Sequence, residues 1–113
     1  MKRALAVLLL AACGLLQAQP YPSKPIKIVV PFPAGGIADL YARLIGARLS
    51  DRWAQPVLVE NRTGAGGNIG ADVVAKAVPD GYTLLLTSGA IVTASQHMYK
   101  SMPFDPEIGR AHV

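Results

Sequence analysis

Chemically reactive side chains are scarce in this sequence of 113 residues. It contains one cysteine, Cys13, and two histidines, His97 and His112. A disulfide, a cysteine-based metal site and a Ser/His/Asp triad therefore lack the residues they need. From this composition we expect no catalytic residue, no bound metal and no cofactor.

The sequence also has little net positive charge outside its first three residues. The formal net charge is +4, but Lys2 and Arg3 lie at the very start of the chain. Without these two, nine basic side chains stand against seven acidic ones, a net +2 with no basic run. Because nucleic acids and anionic membranes are bound through several Lys and Arg side chains, we expect neither partner. At 51% hydrophobic residues, the chain is too apolar for disorder and suits one small domain.

Residues 1–18 have the build of a secretory signal peptide. A cationic start precedes an almost wholly apolar stretch over residues 4–16, and Ala18 supplies a small residue before Gln19. This predicts export, and the lack of cysteine in the mature chain indicates a bacterial periplasm. Two alternatives stay open. The Leu-Ala-Ala-Cys sequence that ends at Cys13 also fits a lipoprotein cleavage box, and the segment could instead be a buried helix.

Beyond this leader, short apolar runs alternate with helical periods. The runs at residues 26–30, 56–60 and 82–87 predict strands. A helical period comes after each run, the last over residues 91–99. This order predicts an α/β fold with a parallel βαβαβ sheet and helices on both faces. The first helix is predicted to be amphipathic, with an apolar stripe of Ile37, Leu40, Tyr41, Leu44, Ile45 and Leu49.

Glycine-rich turns come after all three predicted strands, at residues 33–36, 64–67 and 88–89. Turns after parallel strands share one edge of the sheet, where ligands of α/β proteins bind. Backbone N–H groups at a helix start, next to glycine without a Cβ, suit a carboxylate or a phosphate. The alternative is that these glycines only make tight turns. A dinucleotide fingerprint is not met, because Ile69 stands where its third glycine should be.

Polar side chains beside these turns have two possible roles each. Asp39, in the first turn of the first helix, either stabilises the helix start or accepts a hydrogen bond from a ligand. Thr87 and Ser88, at the end of the third strand, either donate hydroxyl groups to a bound acid or cap the next helix.

Four blocks of sequence stand in a specific order. They read Pro-Phe-Pro-Ala-Gly-Gly at 31–36, Val-Glu-Asn-Arg at 59–62 with Gly-Ala-Gly-Gly-Asn-Ile-Gly at 64–70, Pro-Asp-Gly-Tyr-Thr-Leu at 79–84, and Met-Pro-Phe-Asp-Pro at 102–106. Together with Asp39 and Arg43 they resemble the periplasmic solute receptors of tripartite tricarboxylate transporters, the Bug family. The resemblance covers residues 24–107. Thr63 departs from the proline common there.

The resemblance implies part of one lobe of a two-lobed periplasmic binding protein, a Venus flytrap. Such a receptor closes on a small carboxylate, passes it to membrane permease subunits and has no catalytic role. The full-length protein is expected to be a monomer. The implied ligand-binding residues are Phe32, Pro33, Ala34, Gly35, Gly36, Asp39, Ala65, Gly66, Gly67, Asn68 and Ser88. The alternatives are a lipid-anchored extracytoplasmic sensor or structural protein, and a fragment of an α/β enzyme.

We expect the chain to consist of three parts. Residues 1–18 are the signal peptide, and residues 19–107 form a partial N-terminal α/β lobe, since members of the family are about three times as long. Residues 108–113 depart from the family pattern and match the translation of a widely used sequencing adapter. We therefore expect residues 108–113 to be a non-native tail.

Overall fold

The computed structural model of the protein describes residues 19–94 and Met98. Strands and helices alternate, with a single 3-10 turn (Ala65–Gly67) ahead of the second helix: β1 (Ile26–Val30), α1 (Ile37–Trp53), β2 (Val57–Asn61), α2 (Asn68–Ala75), β3 (Thr83–Leu85) and α3 (Gly89–Thr93). The predicted leader, the block at 102–106, His97 and the tail at 108–113 lie outside the described residues. No helix in the described part of the chain is both long enough and apolar enough to span a membrane.

The sheet has the strand order β2-β1-β3, and both strand pairs are parallel. Ile28 of β1 lies opposite Val59 on one side and Leu84 on the other. The predicted parallel βαβαβ arrangement is therefore confirmed. β1 is central because its apolar residues can be buried on both faces. Val30 packs with Ala42 of α1, and Val29, which points to the opposite face, is buried as well.

Helix α1 packs on the sheet through small residues and not through its predicted apolar stripe. Ala42 and Gly46 are buried against β1 and β2, whereas Ile37 and Leu40 are 75% and 61% exposed. A Cβ added at Gly46 would lie 3.3 Å from a methyl carbon of Val57. Small side chains let the helix axis approach the strands closely. The apolar period identified the helix correctly, but the stripe that contacts the sheet lies on its other side.

The ends of α1 are set by backbone conformation. Gly36 precedes the helix in an extended conformation, and Ala54 ends it in the left-handed region with φ 53°. Trp53, at the last position, makes an edge contact with Tyr21. The Tyr21 hydroxyl in turn donates to the Gly81 carbonyl at 2.6 Å. These contacts gather at the amino ends of the strands, away from the predicted ligand edge.

Candidate ligand-binding site

The turns that come after the three strands meet at one edge of the sheet. Gly67 is their point of contact, since a Cβ added there would overlap the Ile91 side chain of α3 and would lie 3.4 Å from Pro31 Cβ. Pro31 opens the first turn, Gly67 closes the second, and Ile91 comes after the third. The structure therefore brings the three predicted turns together, as parallel strand order requires.

The first turn ends in open space at the start of α1. Gly35 has φ +82°, and a Cβ added to it would meet no atom of the described chain within 4 Å. That backbone conformation favours glycine. The Gly35 N–H donates to Asp39 at 2.8 Å, and the Gly36 N–H donates to the Pro33 carbonyl at 3.3 Å. Both predicted glycines thus use their donors within the turn and shape it. Pro33 and Ala34 lie beside them, and Ala34 is exposed.

Further backbone donors lie at the start of the helix. The first backbone hydrogen bond of α1 runs from Leu40 N–H to the Gly36 carbonyl. The N–H groups of Ile37, Ala38 and Asp39 therefore have no acceptor within the helix. Gly36 contributes no capping side chain. The positive end of a 17-residue helix consequently lies beside the open space at Gly35.

Asp39 is a buried carboxylate that holds the first turn. Its residue is only 3% exposed. One oxygen, Oδ2, accepts from Gly35 N–H at 2.8 Å and from Arg43 Nε at 3.0 Å, while Oδ1 accepts from Asn61 Nδ2 at 3.1 Å. The Arg43 guanidinium, the Gly35 N–H and the Asn61 amide lower the pKa of the Asp39 carboxyl from 3.8 to about 2. Asp39 is therefore ionised and paired within the protein at neutral pH.

Asn61 and Arg43 carry contacts that the sequence analysis did not assign. Asn61 is the last residue of β2, and its amide nitrogen also donates to the Phe32 carbonyl at 3.1 Å. Phe32 is half-buried against the core. One signal pointed to Asn61: it is a polar residue at the end of an apolar strand, directly before a predicted ligand turn.

The second turn uses its glycines mainly for conformation and packing. Ala65, Gly66 and Gly67 have successive φ values of 48°, 65° and 97°, all in the left-handed region. Gly67 is buried, and its N–H donates to the Gly64 carbonyl at 2.9 Å. Ala65 and Gly66 are both exposed, in contrast to Gly67. Of the predicted residues in this turn, Ala65 and Gly66 are therefore the ones whose backbone is accessible to a ligand.

Two buried polar atoms at this edge have no hydrogen-bond partner among the described residues. They are Asn68 Oδ1, at the start of α2, and Thr87 Oγ1, just after β3. Asn68 is 3% exposed, whereas Ser88 is exposed and immediately precedes α3. Since buried polar atoms in proteins are nearly always paired, Asn68 and Thr87 are suited to bind water or a ligand atom. No cluster of three His, Cys, Asp or Glu residues with a metal-binding arrangement occurs in the described ranges.

Sequence relatives place this chain in a family. A family model described as "Tripartite tricarboxylate transporter family receptor" matches residues 41–110. Protein BugT of Bordetella pertussis is 44% identical over 110 residues, a match that covers 92% of this chain and 34% of BugT. A UPF0065 protein of Agrobacterium vitis is 47% identical over 107 residues, with 92% and 31% covered. The chain thus spans about a third of the length of these curated relatives.

Solved structures share the fold described above. The R. palustris protein Rpa4515, solved with adipate, has a TM-score of 0.73 and 41% identity over 77% of this chain and 29% of its own. MatC from Rhodopseudomonas palustris, solved with bound malate, has a TM-score of 0.71 and 37% identity over 76% and 29% of the two chains. Because the family model also matches more than half of the sequence, the chain belongs to the family of tripartite tricarboxylate transporter receptors.

Proposed function

We propose that the full-length protein is an exported solute receptor that binds a small carboxylate and delivers it to the permease subunits of a tripartite tricarboxylate-type transporter. The observation that carries this proposal is the uncapped start of α1 beside the open space at Gly35. Unpaired N–H groups and the positive end of the helix dipole stabilise an anionic group there. The relatives solved with adipate and malate support a carboxylate as that group.

In this proposal the predicted residues divide into two roles. The backbone N–H groups at the start of α1 hold the carboxylate, and residues 32–36 shape the space in front of them. Ala65 and Gly66 line the second turn, and Asn68 and Ser88 offer side-chain atoms. The burial and pairing of Asp39 favour a role in holding the first turn at the start of α1 over the alternative of accepting a hydrogen bond from a ligand.

The ligand is released unchanged in this proposal, since a receptor breaks no bond in it. A second lobe supplies the remaining contacts, because flytrap receptors enclose the ligand between two lobes and remove it from water. Residues 1–18 are removed on export to the periplasm, and the mature full-length protein is a monomer.

Calorimetry on the mature full-length protein tests the proposal. Adipate and malate are titrated in parallel with adipamide, which has the length of adipate but no charge. Micromolar binding of a carboxylate, no binding of adipamide and recovery of the ligand unchanged by NMR are expected. Binding of adipamide as tight as that of adipate would contradict an anion site.

The route of export is tested by the mass of the protein from the periplasmic fraction. A chain that begins at Gln19 is expected. A lipid-modified chain that begins at Cys13 would instead support the anchored alternative.

A further inference from the structure

We infer that Asn61 is a positioning residue of the ligand site, whose side-chain amide locks the first turn in the shape that leaves the start of α1 open to a carboxylate. This inference rests on the proposed function for its ligand. Its geometry is independent of that ligand, because it concerns contacts within the described chain.

The amide nitrogen of Asn61 uses both of its hydrogens on the first turn and the helix behind it. Nδ2 lies 3.1 Å from the Phe32 carbonyl oxygen and 3.1 Å from Asp39 Oδ1. A side-chain amide has two N–H groups on one nitrogen, so a single short side chain can serve two acceptors. Asn61 therefore links the strand β2 to the two ends of the turn that comes after β1.

The backbone of Asn61 is held in place by the pairing of β2 with β1. Asn61 pairs with Val30 in the parallel register of β1 and β2, and the next N–H, that of Arg62, donates to the Val30 carbonyl at 2.9 Å. The backbone on both sides of the amide is thus held by the sheet. Movement of the turn relative to β2 must break the Asn61 contacts first.

Asp39 connects Asn61 to Gly35, the glycine of the turn. Asn61 fixes one carboxylate oxygen, and the other accepts from Gly35 N–H and from Arg43. Since Asp39 is buried, removal of the Asn61 donor leaves a buried acceptor without its partner. The carboxylate would then turn toward water or toward Arg43 and release the Gly35 N–H.

Few residue types can replace this amide. Alanine has no donor, and threonine has a single hydroxyl hydrogen for two acceptors. Aspartate has nearly the same shape but no donor when ionised, and its charge would lie beside Asp39. A protonated aspartic acid, however, regains one donor. This difference makes Asn61→Asp a switchable test of the link.

The protection of the Gly35 amide against hydrogen exchange tests whether Asn61 holds the turn through Asp39. It is measured in the ligand-free, full-length mature protein. In Asn61→Ala we expect the protection factor of that amide to fall roughly tenfold, the effect of losing one hydrogen bond to a charged group. Amides within β1 should keep their protection. The matched control is Arg62→Gln, which removes the neighbouring exposed ion pair with Glu60 and should leave Gly35 unchanged.

If the alanine variant does not fold, the pH dependence of Gly35 protection in Asn61→Asp provides a second test. At pH 7 its Gly35 protection should be as low as in Asn61→Ala, and it should rise towards the wild-type value as the pH falls to about 3, because an aspartic acid with its ordinary pKa of about 3.9 is protonated there. The wild-type protection factor should stay constant over this range, because the pKa of Asp39 is about 2. A merely structural loss of packing would give no such recovery.

Ligand affinity separates this inference from the proposed function. If the wild-type protein binds adipate or malate, Asn61→Ala should weaken that binding at least as much as it lowers Gly35 protection. If the wild type binds no carboxylate, the proposed function fails, while the exchange measurement still decides the role of Asn61. Unchanged Gly35 protection in Asn61→Ala, or in Asn61→Asp at pH 7, would overturn the inference.

Discussion

The Gly35 N–H donates a 2.8 Å hydrogen bond to Asp39 Oδ2, four residues further along the chain. Because the Gly35 N–H already donates to a protein carboxylate, it cannot also donate to an anionic ligand. The turn gains a fixed shape instead. In the proposed site, the donors left for a ligand include those of the first turn of α1, which are oriented by the helix and need no reorganisation on binding.

The stability of the protein in acid should depend on Asp39. The Arg43 guanidinium, followed by the Gly35 N–H and the Asn61 amide, lowers the pKa of Asp39 from 3.8 to about 2 in the folded state. The unfolded state therefore binds the proton first as the pH falls. The stabilisation by this carboxylate is fully present only above the unfolded-state pKa of 3.8 and is lost as the pH falls through about 2. Urea unfolding of the full-length protein between pH 5 and 2 should show a smaller decline in Asp39→Asn than in the wild type.

The control for this measurement is Asp51→Asn, on the exposed side of α1. Its decline in acid should match that of the wild type. An Asp39→Asn variant whose stability declines as steeply as that of the wild type would show that the contacts of Asp39 contribute nothing to folding.

Gly35 should tolerate substitution in folding but not in binding. Its φ of +82° makes an alanine there cost about 1–2 kcal/mol of stability, although no described atom would clash with it. Gly35→Val adds a branched side chain in the open space proposed for the ligand. We expect a folded protein with carboxylate affinity lowered beyond detection by calorimetry. Gly81→Val, at a glycine with a similar φ of +79° but at the amino ends of the strands, away from the ligand edge, is the control. Wild-type affinity in Gly35→Val would mean that this glycine only makes a turn.

Sequence patterns were sufficient for the fold and for the meeting of the three glycine-rich turns at one edge of the sheet. Three short apolar runs with helical periods between them favour parallel pairing, and the turns after them share one edge. The face of α1 was not predictable in the same way, because small residues at Ala42 and Gly46 pack closer than the bulky stripe beginning at Ile37. Asn61 was missed because its acceptors lie 29 and 22 residues away in the chain, at a distance that no local period reports.

Gly70 should be needed for packing alone. A Cβ added there would lie 2.7 Å from the Arg62 carbonyl oxygen and 2.8 Å from Pro31 Cβ. Neither the backbone oxygen nor the proline ring can rotate away, so Gly70→Ala should destabilise the full-length protein by roughly 1–3 kcal/mol in urea unfolding. Val73→Ala, on an exposed position of the same helix, should change stability by less than about 0.5 kcal/mol. Equal stability of the two variants would contradict the close packing of α2 on the first turn.

The outer face of α1 should make residues 19–113 poorly soluble when expressed alone. Ile37, Leu40, Tyr41 and Leu44 are exposed together on the side of the helix opposite the sheet. An apolar patch of this kind promotes association. Replacement of Leu40 and Leu44 by glutamine should raise the soluble fraction, whereas Arg48→Gln should not. A soluble monomer of the unchanged chain with a sharp thermal transition, measured by light scattering and circular dichroism, would contradict this expectation.

One lobe should bind its acid far more weakly than the full-length receptor. Residues 19–113 contain the start of α1 but cannot enclose a ligand, so most of the bound carboxylate would remain in water. Calorimetry of the isolated segment with adipate or malate should detect no micromolar binding. Micromolar affinity would show that the first lobe is a complete site.

The hydrogen bonds of Asp39 and Asn61 that hold the first turn lie within a single β1-α1-β2 unit, between Phe32 and Asn61. β3, by contrast, joins the sheet through pairing with Lys27 and Ile28, more than fifty residues earlier in the chain. Contacts between nearby parts of a chain form sooner than distant ones. If the protein is exported as proposed, with the amino-terminal part emerging first, the turn can therefore acquire its final shape before the third strand arrives. The proposed anion site would then be an early product of folding, to which the rest of the protein is added.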